Sequence, residues 1–365
     1  MAKENEKKKI KVAIGMSGGV DSSVAAMLLK EQGFEVVGLF LKLWSDESCA
    51  ISRENACCDE KALADARKVA AELEIPFYVV DAREKFKKDI VDYYLDEYRA
   101  LRTPNPCVLC NKKIKFGWML EFAEQIGCEK VATGHYSRIE KTDHYRLFRG
   151  KDKNKDQSYF LWQLGQEQLS KIIFPLGEMT KDRVRALAKE KNLPVYEKVE
   201  SQEICFVADD YREFLKRHLP PEYFESGRIV DQKGYTVGQH EGLVNYTIGQ
   251  RKGISQSASQ LASESVNRQP LYVVGFNLEK NELIVGENAD TSRSEMIVAD
   301  AYINKFEDVK VKIRYRAEAV TCTVKSLIPN SSFLIQFETP QRAVTPGQSA
   351  VFYCGDEVVG GGIIR

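Results

Sequence analysis

The residues near the start of the chain that are best suited to chemistry form a glycine-rich loop. Residues 11–15 are typical of a buried strand, and residues 20–30 are typical of a helix that is entered through Asp21 and Ser22. Small loop residues let the backbone approach an anion, hydroxyl groups can donate hydrogen bonds, and a helix N-terminus presents unpaired N–H groups. The pattern predicts a phosphate site, with an ordinary strand-to-helix turn as the simpler alternative.

Three cysteines are the second group of residues with chemical potential. Cys107 and Cys110 follow the sequence Thr-Pro-Asn-Pro, which predicts a stiff loop, and the next helix is predicted to begin near Asn111. Cations close to a thiol favour the thiolate, which is the nucleophilic and metal-binding form. The neighbouring cations, with no acid among them in the sequence, are Arg102, Lys112, Lys113 and Lys115. Cys205, in a strand-like segment far downstream, could meet the first two cysteines in space.

The other cysteines do not have the pattern of a metal or disulfide site. The chain has nine cysteines, an odd number, and no export signal, so thiols, catalytic groups or metal ligands are expected rather than a disulfide framework. Cys49, Cys57 and Cys58 lack a fourth ligand and a regular spacing, and we interpret them as structural or incidental. For the CxxC pair, Cys107 and Cys110, the simpler interpretation is that both cysteines are small buried hydrophobic residues. No metal site is predicted.

Length and composition limit the class of protein. At 365 residues the chain is long enough for two or three domains. Lys plus Arg and Asp plus Glu both number 53, so a nucleic-acid partner would have to be held by a local basic patch. No apolar run approaches the ~18 residues of a membrane helix, and the Lys- and Glu-rich N-terminus has no apolar signal region. We therefore expect no membrane partner and a cytoplasmic location.

The elements that must position these residues alternate between strand and helix in the first part of the chain. Over residues 1–207 this alternation predicts an α/β fold with a doubly wound parallel sheet, in which ligands bind at the carboxyl ends of the strands. The loop lies at such an end, and so do Leu41 and the pair Gly134 and His135. A core leucine and an ordinary polar histidine are equally good interpretations of these positions. A capped helix is predicted over residues 180–191.

Beyond residue 207 the sequence changes to turn signals and short alternating segments. We predict a small β-rich module over residues 208–286 and a second module of short strands over residues 287–365. The predicted strand over residues 309–316 alternates apolar and basic side chains, so one face could lie on phosphates. A solvated strand face is the simpler interpretation.

Neither GxxxxGK[ST] nor GxGxxG is present at the glycine-rich loop, which excludes a Walker A loop and the dinucleotide-binding fingerprint. The motif that is present, Ser-Gly-Gly-Val-Asp-Ser over residues 17–22, resembles the loop of the PP-loop ATP pyrophosphatases. Together with the CxxC pair and Cys205, it makes the whole chain resemble the bacterial tRNA-specific 2-thiouridylases. The resemblance implies an adenine nucleotide alpha hydrolase-like first domain, a tRNA-contacting central module and a C-terminal β-barrel. ATP and Mg²⁺ are the expected cofactors. The anticodon stem-loop of tRNA is the expected partner, and its wobble uridine would exchange the C2 oxygen for sulfur.

The resemblance also implies roles for individual residues of this chain. The residues implied to bind ATP are Gly15, Met16, Ser17, Gly18, Gly19, Val20, Asp21, Ser22, Leu41 and Gly134. The residues implied to meet the target base are Asn105, Pro106 and Cys107. The residues implied to contact tRNA elsewhere are His135, Lys155, Asp156, Gln157, Arg314, Tyr315 and Gln348. The implied catalytic pair is Cys110, the nucleophile, and Cys205, which carries the persulfide.

One departure from the family leaves two mechanisms open, because many members have Asp where this chain has Cys107. In the persulfide route, a donor such as a cysteine desulfurase or a sulfur-relay protein charges Cys205. Cys110 then releases the sulfur and leaves a Cys110–Cys205 disulfide. In the other route, the three cysteines hold an iron–sulfur cluster. The alternative functions are another PP-loop tRNA-modifying or amidating enzyme and a non-catalytic RNA-binding redox sensor.

Overall fold

The structure is a computed structural model that describes most of the chain. The described residues are 9–44, 60–198, 204–207, 209–254, 270–328 and 332–365. Cys49, Cys57 and Cys58, which we interpreted as structural or incidental, lie outside them. The chain divides into two compact units. The first unit consists of residues 1–91, 106–209 and 356–358, and the second unit consists of residues 92–105, 210–355 and 359–365.

A parallel sheet forms the centre of the first unit. The strands of this unit are β1 (Lys11–Gly15), β2 (Glu35–Lys42), β3 (Phe77–Asp81), β4 (Lys130–Ala132), β5 (Ser137–Lys141), β6 (Tyr145–Arg149) and β7 (Ile172–Ile173). Five of them form a sheet in the order β3-β2-β1-β4-β7 with parallel pairing throughout, while β5 and β6 form an antiparallel hairpin. Val12, Ala13 and Ile14 of β1 are fully buried, as expected in the middle of a parallel sheet. The predicted α/β fold is confirmed.

The α-helices connect these strands and continue into the second unit. They are α1 (Val20–Glu31), α2 (Glu60–Glu72), α3 (Arg83–Phe86), α4 (Asp92–Arg99), α5 (Pro106–Cys110), α6 (Met119–Gln125), α7 (Gln166–Lys171), α8 (Lys181–Glu190) and α9 (Tyr211–His218). Helices α4 and α9 belong to the second unit. The predicted capped helix is α8, where the Thr180 hydroxyl accepts a hydrogen bond from the Arg183 N–H at 3.4 Å. None of the helices in the described ranges has the length and apolar composition of a membrane-spanning segment.

The position of the CxxC pair differs from the prediction. Cys107 and Cys110 lie in α5, and the chain then continues as a π-helix, Asn111–Trp118, before α6 begins. The expected stiff loop, with a helix beginning near Asn111, is therefore wrong. The physical reason is that Pro106 occupies the first helical position, where the missing N–H of proline removes no helical hydrogen bond.

Gln168 of α7 supports the wide turns of this π-helix. Its side-chain amide nitrogen donates to the carbonyls of Lys112 at 3.1 Å and Phe116 at 2.7 Å. Its Oε1 accepts from the Gly165 N–H at 3.2 Å, at the start of α7. Wide turns weaken the regular ladder of helical hydrogen bonds and expose carbonyl groups that need other donors. One side chain therefore stabilises both the start of α7 and the segment that follows Cys110.

The second unit contains a small sheet and a closed barrel. Its strands are β8 (Ser226–Val230), β9 (Thr236–Glu241), β10 (Tyr272–Asn277), β11 (Glu282–Gly286), β12 (Ser292–Ile303), β13 (Lys310–Lys312), β14 (Val320–Ile328), β15 (Ser332–Arg342), β16 (Ser349–Cys354) and β17 (Glu357–Ile364). The small sheet has the order β10-β11-β8-β9. Strands β12 to β17 pair in the order β12-β15-β14-β13-β16-β17, and pairing of β17 with β12 closes the barrel. The predicted β-rich segment and C-terminal barrel are confirmed.

The strand predicted over residues 309–316 is shorter than its alternation indicates. Strand β13 ends at Lys312, and the Arg314 carbonyl accepts from the Ala317 N–H at 3.1 Å in the turn that follows. The buried apolar residues of the segment are Val309, Val311 and Ile313. The alternation therefore marks the packed side chains correctly. The predicted continuous basic face is wrong, because the chain must turn here to enter β14.

The glycine run at residues 360–362 lies in the middle of β17. A β-carbon at Gly362 would lie 2.3 Å from Val298 Cγ1 and 2.4 Å from Ala301 Cβ. Only a residue without a side chain lets β17 approach β12 this closely. The closure covers a barrel core whose fully buried members include Val298, Ile335, Phe352 and Ile364.

Gly362→Ala is expected to destabilise the barrel. The added methyl group must displace Val298 or Ala301, and overpacking of this kind costs ~1–3 kcal/mol. Urea unfolding of the purified variant measures the change. Gly275→Ala in β10 is the matched control, because a methyl group there would meet Ile284 at an ordinary 3.7 Å. Equal unfolding midpoints for the two variants would contradict the close approach of β12 and β17.

Candidate active site

The loop at the end of β1 is shaped for backbone contacts with an anion. Gly18 has a φ of +69°, and a β-carbon there would lie 2.2 Å from the carbonyl oxygen of Ala62 in α2. Glycine alone fits this position. The Ser22 hydroxyl closes the loop by accepting from the Ser17 N–H at 3.2 Å and donating to the Gly19 carbonyl at 3.2 Å. These small residues surround the N-terminus of α1, where N–H groups and the helix dipole favour negative charge.

Asp21, in the first turn of α1, is paired with a buried lysine. Lys181 Nζ donates to Oδ1 at 2.7 Å and to Oδ2 at 2.8 Å, and the Tyr136 hydroxyl donates to Oδ1 at 2.7 Å. The ammonium group also lies 6.0 Å from the centre of the Tyr136 ring, a cation–π contact. The side chain of Lys181 is 7% exposed and that of Asp21 is 30% exposed. The carboxylate is therefore the more accessible partner of the ion pair.

Neither Lys181 nor Tyr136 is predicted from the sequence to be a site residue. Lys181 lies 160 residues after Asp21 and belongs to no motif that we recognised. One local signal was present, because a cation at the first position of a helix opposes the helix dipole and indicates a nearby acid. Tyr136 follows two predicted site residues, but nothing in the sequence indicates where its hydroxyl donates.

Gly134 and Leu41 lie near the carboxyl ends of the two strands that flank β1. A β-carbon at Gly134 would lie 2.8 Å from both the Asp21 carbonyl carbon and the Ser22 nitrogen. Glycine therefore lets the chain after β4 pack on the N-terminus of α1. Leu41 is half-buried and pairs in register with Val80 of β3. Their roles as nucleotide contacts stay predictions, which their place at the ligand-binding edge of the sheet supports.

His135 is buried among aromatic rings. Its Nδ1 lies 2.7 Å from the Thr133 hydroxyl, and the ring centres of Phe116 and Phe174 lie 5.8 Å and 5.9 Å away. Burial, together with the charge of Lys115, holds the pKa of His135 well below its ordinary value. The imidazole is therefore neutral at physiological pH. It is 8% exposed, and its direct contact with tRNA stays a prediction.

One loop that follows β6 contains three of the residues predicted to contact tRNA, which are Lys155, Asp156 and Gln157. The buried carboxylate of Asp156 accepts from the N–H groups of Gly150 at 3.1 Å and Ser158 at 3.0 Å. Gln157 Oε1 accepts from the Tyr136 N–H at 3.0 Å. Both side chains therefore hold the loop against the rest of the first unit. Lys155 is half-buried, and contact of this loop with tRNA stays a prediction.

The three predicted cysteines all belong to the first unit. Cys110 is buried, whereas Cys107 and Cys205 are half-buried. Phe206, next to Cys205, packs edge-on against Phe86 with ring centres 5.7 Å apart. Within the described residues, which include these cysteines, no group of three or more His, Cys, Asp or Glu side chains is placed to hold a metal ion.

Two of the cations around the CxxC pair are neutralised by acids that lie elsewhere in the sequence. Arg102, in the second unit, donates to both carboxylate oxygens of Glu97, at 2.5 Å and 2.8 Å. Lys113, in the first unit, lies 3.3 Å from Asp89. The expectation of unopposed positive charge is therefore wrong for Arg102 and Lys113. The opposing acids precede the cysteine segment, Glu97 by five residues from Arg102 and Asp89 by 24 residues from Lys113, so a reading of that segment alone does not include them.

The remaining predicted site residues belong to the second unit, and they are Asn105, Arg314, Tyr315 and Gln348. Asn105 and Gln348 are half-buried. Arg314 is exposed and donates to the Arg342 carbonyl at 3.1 Å. The Lys312 ammonium lies 5.4 Å from the centre of the Tyr315 ring. The end of β13 therefore carries two cations, Lys312 and Arg314, and one aromatic ring, that of Tyr315.

The fold and the site together define a class of enzyme. The parallel sheet, with the order β3-β2-β1-β4-β7, places the Ser-Gly-Gly-Val-Asp-Ser loop at its ligand-binding edge. An aspartate and a buried lysine are paired at the same edge. These features define a PP-loop enzyme that uses ATP.

Comparisons with known proteins agree with this class and narrow it. Successive parts of the chain match three families, described as tRNA methyl transferase HUP domain (residues 10–209), tRNA methyl transferase PRC-barrel domain (residues 212–287) and Aminomethyltransferase beta-barrel domain (residues 291–364). The tRNA-specific 2-thiouridylase MnmA of Clostridium perfringens is 45% identical over 364 residues, covering 98% of this chain and 99% of the relative. The corresponding proteins of Clostridioides difficile and Caldanaerobacter subterraneus are 46% and 48% identical, each covering 97% of this chain and 98% of the relative. The chain therefore belongs to the tRNA-specific 2-thiouridylase family.

The free energy of unfolding is expected to fall as the pH drops below about 6.5, partly because of His135. Its pKa is depressed in the folded protein, so in this range the unfolded chain binds a proton that the folded protein does not, and stability decreases. Urea unfolding between about pH 7.5 and 5.5 measures the slope, which His135→Gln should reduce by up to about 1.4 kcal/mol per pH unit. His240, whose pKa burial also lowers, contributes to the remainder.

The control for this measurement is His144→Gln, which removes an exposed imidazole instead of a buried one. Identical slopes for the wild-type protein and His135→Gln would contradict the neutral, buried state of His135.

Proposed function

We propose that the protein replaces the C2 oxygen of the wobble uridine (position 34) of tRNA with sulfur. ATP activates the oxygen, a cysteine persulfide supplies the sulfur, and AMP and pyrophosphate are released. Membership of the 2-thiouridylase family supports this reaction. The observation that carries the proposal concerns residues 15–22, here called the anion loop. This loop and both cysteines, Cys110 and Cys205, belong to one compact unit. The reaction belongs to the cytoplasm, where thiols stay reduced.

ATP is held by the loop over residues 15–22, with Leu41 and Gly134 beside it. The N–H groups at the start of α1 face the phosphates. Asp21 fits a Mg²⁺ ion, because proteins bind this ion through one or two carboxylates together with substrate phosphates, and the Asp21 carboxylate is the accessible acid at the loop. Bound with ATP, Mg²⁺ supplies charge neutralisation on the phosphates.

Lys181 supplies the protein's own positive charge beside the loop. Its ammonium is largely withdrawn from water, so its attraction to a phosphate exceeds that of a surface lysine. Pairing with Asp21 compensates the buried charge before ATP arrives, and Tyr136 fixes the orientation of the carboxylate. As pyrophosphate departs, the ammonium stabilises the negative charge that develops on it.

The cysteines provide the sulfur after adenylation has converted a poor leaving group, the uridine oxygen, into AMP. The Cys110 thiolate attacks the Cys205 sulfur of the persulfide, the sulfur–sulfur bond breaks, and hydrosulfide leaves with its electron pair. Hydrosulfide adds to C2 of the adenylated uridine, and AMP leaves with the oxygen. The remaining Cys110–Cys205 disulfide accepts two electrons from a cellular thiol reductant before the next turnover.

The substrate is the anticodon stem-loop of tRNA, whose single-stranded bases can be turned out at modest cost. We assign the ATP chemistry to residues 1–207 and further tRNA contacts to residues 208–286 and 287–365. The residues proposed to meet the base are Asn105, Pro106 and Cys107. Those proposed to contact tRNA in the first unit are His135, Lys155, Asp156 and Gln157, and in the second unit Arg314, Tyr315 and Gln348. A persulfide-carrying protein, such as a cysteine desulfurase or a sulfur-relay protein, charges Cys205.

Lys181→Met is expected to weaken ATP binding by about tenfold and to slow tRNA-dependent pyrophosphate release by roughly two orders of magnitude, because charge stabilisation of the departing phosphates is lost. Asp21→Asn should show a similar loss of rate. Calorimetric ATP titration and a pyrophosphate assay measure the two effects.

Lys191→Met is the matched control, because Lys191 pairs with Glu31 at 2.7 Å and so joins the ends of the same two helices away from the loop. Wild-type binding and release in Lys181→Met would exclude the role given to Lys181. A wild-type protein that releases no pyrophosphate with tRNA would be a sensor and not an enzyme.

Cys110→Ser and Cys205→Ser are each expected to reduce thiolation below about one per cent of the wild-type rate, since each removes a reacting sulfur. Cys107→Ser should keep much of the activity, because the persulfide route does not use it. Mass spectrometry of nucleosides from treated tRNA measures 2-thiouridine. Cys354→Ser, which changes a half-buried cysteine of the second unit, is the control.

An iron–sulfur cluster on Cys107, Cys110 and Cys205 is the alternative route, and the third thiol, Cys107, is the feature of the sequence that favours it. The structure does not favour it, because within the described residues no three such side chains are placed together to hold a metal. Anaerobic purification separates the two routes. Brown protein that contains iron, with the colour lost in each of the three Cys→Ser variants, would establish the cluster. Colourless protein that is fully active with a persulfide donor would exclude it.

A further inference from the structure

The two residues that donate to the Asp21 carboxylate, Lys181 and Tyr136, are both held by one loop. This loop consists of residues 152–157, here called the coupling loop, and it includes the residues after β6 that are proposed to contact tRNA. We propose that the coupling loop links tRNA binding to the ATP chemistry, with Asp152 as a positioning residue for Lys181. The proposal rests on the proposed function, and all of these residues belong to the first unit.

Asp152 holds the backbone of Lys181. Its Oδ2 accepts from the Lys181 N–H at 2.9 Å. Lys181 is the first residue of α8, and the first N–H groups of a helix have no acceptor within the helix. Asp152 supplies this acceptor together with a negative charge, which the N-terminus of a helix favours. The carboxylate therefore fixes the backbone from which the Lys181 ammonium reaches Asp21.

Gln157 holds the backbone of Tyr136 in the same way. Its Oε1 accepts from the Tyr136 N–H at 3.0 Å, and its own N–H donates to the Tyr136 carbonyl at 2.9 Å. A β-carbon at Gly150, just before the coupling loop, would lie 2.7 Å from the Tyr136 carbonyl oxygen, so the chain packs closely here. Both donors to the Asp21 carboxylate thus have their backbone N–H groups bound by side chains of the coupling loop.

Hydrogen bonds within the coupling loop join its two ends. Asp152 Oδ1 accepts from the Asn154 N–H at 3.0 Å, and the Asp152 carbonyl accepts from the Lys155 N–H at 3.1 Å. Bonds of this kind from a side chain to nearby backbone fix the shape of a turn. Asp156 is buried and bonded to backbone N–H groups on both sides of it. A displacement of Lys155 is therefore passed on to Asp152.

A loop of this kind makes the binding of the two ligands cooperative. ATP favours the geometry in which Lys181 and Asp21 face its phosphates, and tRNA favours the geometry in which the coupling loop fits its surface. Because the same hydrogen bonds hold both geometries, the ligand that binds first orders groups that the second ligand needs. Such coupling is reciprocal, so tRNA tightens ATP binding by the factor by which ATP tightens tRNA binding.

Asp152→Ala tests the proposal, because alanine removes the acceptor of the Lys181 N–H. The probe is the α,β-methylene analogue of ATP, which is not cleaved between the α- and β-phosphates. The coupling factor is the Kd of this analogue without tRNA divided by its Kd with saturating unmodified tRNA. We expect a coupling factor of about five or more for the wild-type protein and below about two for Asp152→Ala. The Kd of tRNA alone should stay within about twofold, and hydrogen exchange at the Lys181 amide should become faster.

Asp182→Ala is the matched control, because Asp182 is an exposed acid in the first turn of the same helix. It should leave the coupling factor and the Lys181 exchange unchanged. Asp152→Asn is a second variant, which keeps the size of the side chain. It has one side-chain oxygen in place of two, so its coupling factor should lie between those of the wild-type protein and Asp152→Ala. The test therefore holds even if Asp152→Ala fails to fold.

A coupling factor of one in the wild-type protein would overturn the proposal, and so would a wild-type factor in Asp152→Ala. Equally weakened analogue binding with and without tRNA would also overturn it, because Asp152 would then support the fold without linking the two ligands. If the wild-type protein released no pyrophosphate with tRNA, the proposed function would be wrong. The exchange comparison would still decide whether Asp152 positions Lys181.

Discussion

The catalytic unit depends on the compensation of one buried charge. Lys181 has little contact with water, and an ammonium in such a place without a partner costs several kcal/mol. Asp21 supplies the partner, and the ion pair joins the starts of α1 and α8, while Lys191 and Glu31 join their ends. The helix whose N-terminus forms the anion loop is therefore fixed against the helix that supplies the cation. Phosphate binding needs both, because backbone N–H groups position an anion and a desolvated cation stabilises charge that develops on it.

Close backbone approach is the second constraint that the molecule repeats. At Gly18 the close approach brings α2 onto the anion loop, and at Gly134 it brings the chain after β4 onto the same loop. At Gly362 the close approach closes the barrel against β12. In each place a β-carbon would lie less than 3.0 Å from another atom. Glycine loses more conformational freedom on folding than other residues, so these positions lower stability in order to bring backbone groups or strands together. The first two serve the site, and the third serves the barrel.

Much of the fold could be predicted from local patterns, and the errors have a common origin. The alternation of strand and helix predicted the parallel sheet, and Thr180 marked the start of α8. The alternation over residues 309–316 identified the packed side chains but not the end of β13, because the turn toward β14 is set by barrel closure. The helix that contains Cys107 and Cys110 was missed, since two prolines suggested an extended loop. Its continuation as a π-helix is supported by Gln168, far away in the sequence.

The sequence by itself determined the class of the protein, because a phosphate loop, a CxxC pair and a capped helix are local patterns read along one segment at a time. Only the tertiary structure decided which groups share an environment. It paired Asp21 with Lys181, withdrew His135 from solvent, opposed Arg102 and Lys113 with acids, and bound the Lys181 N–H to Asp152. Charge, hydrogen bonding and burial act through space over a few ångströms, and the chain brings such partners together only by folding.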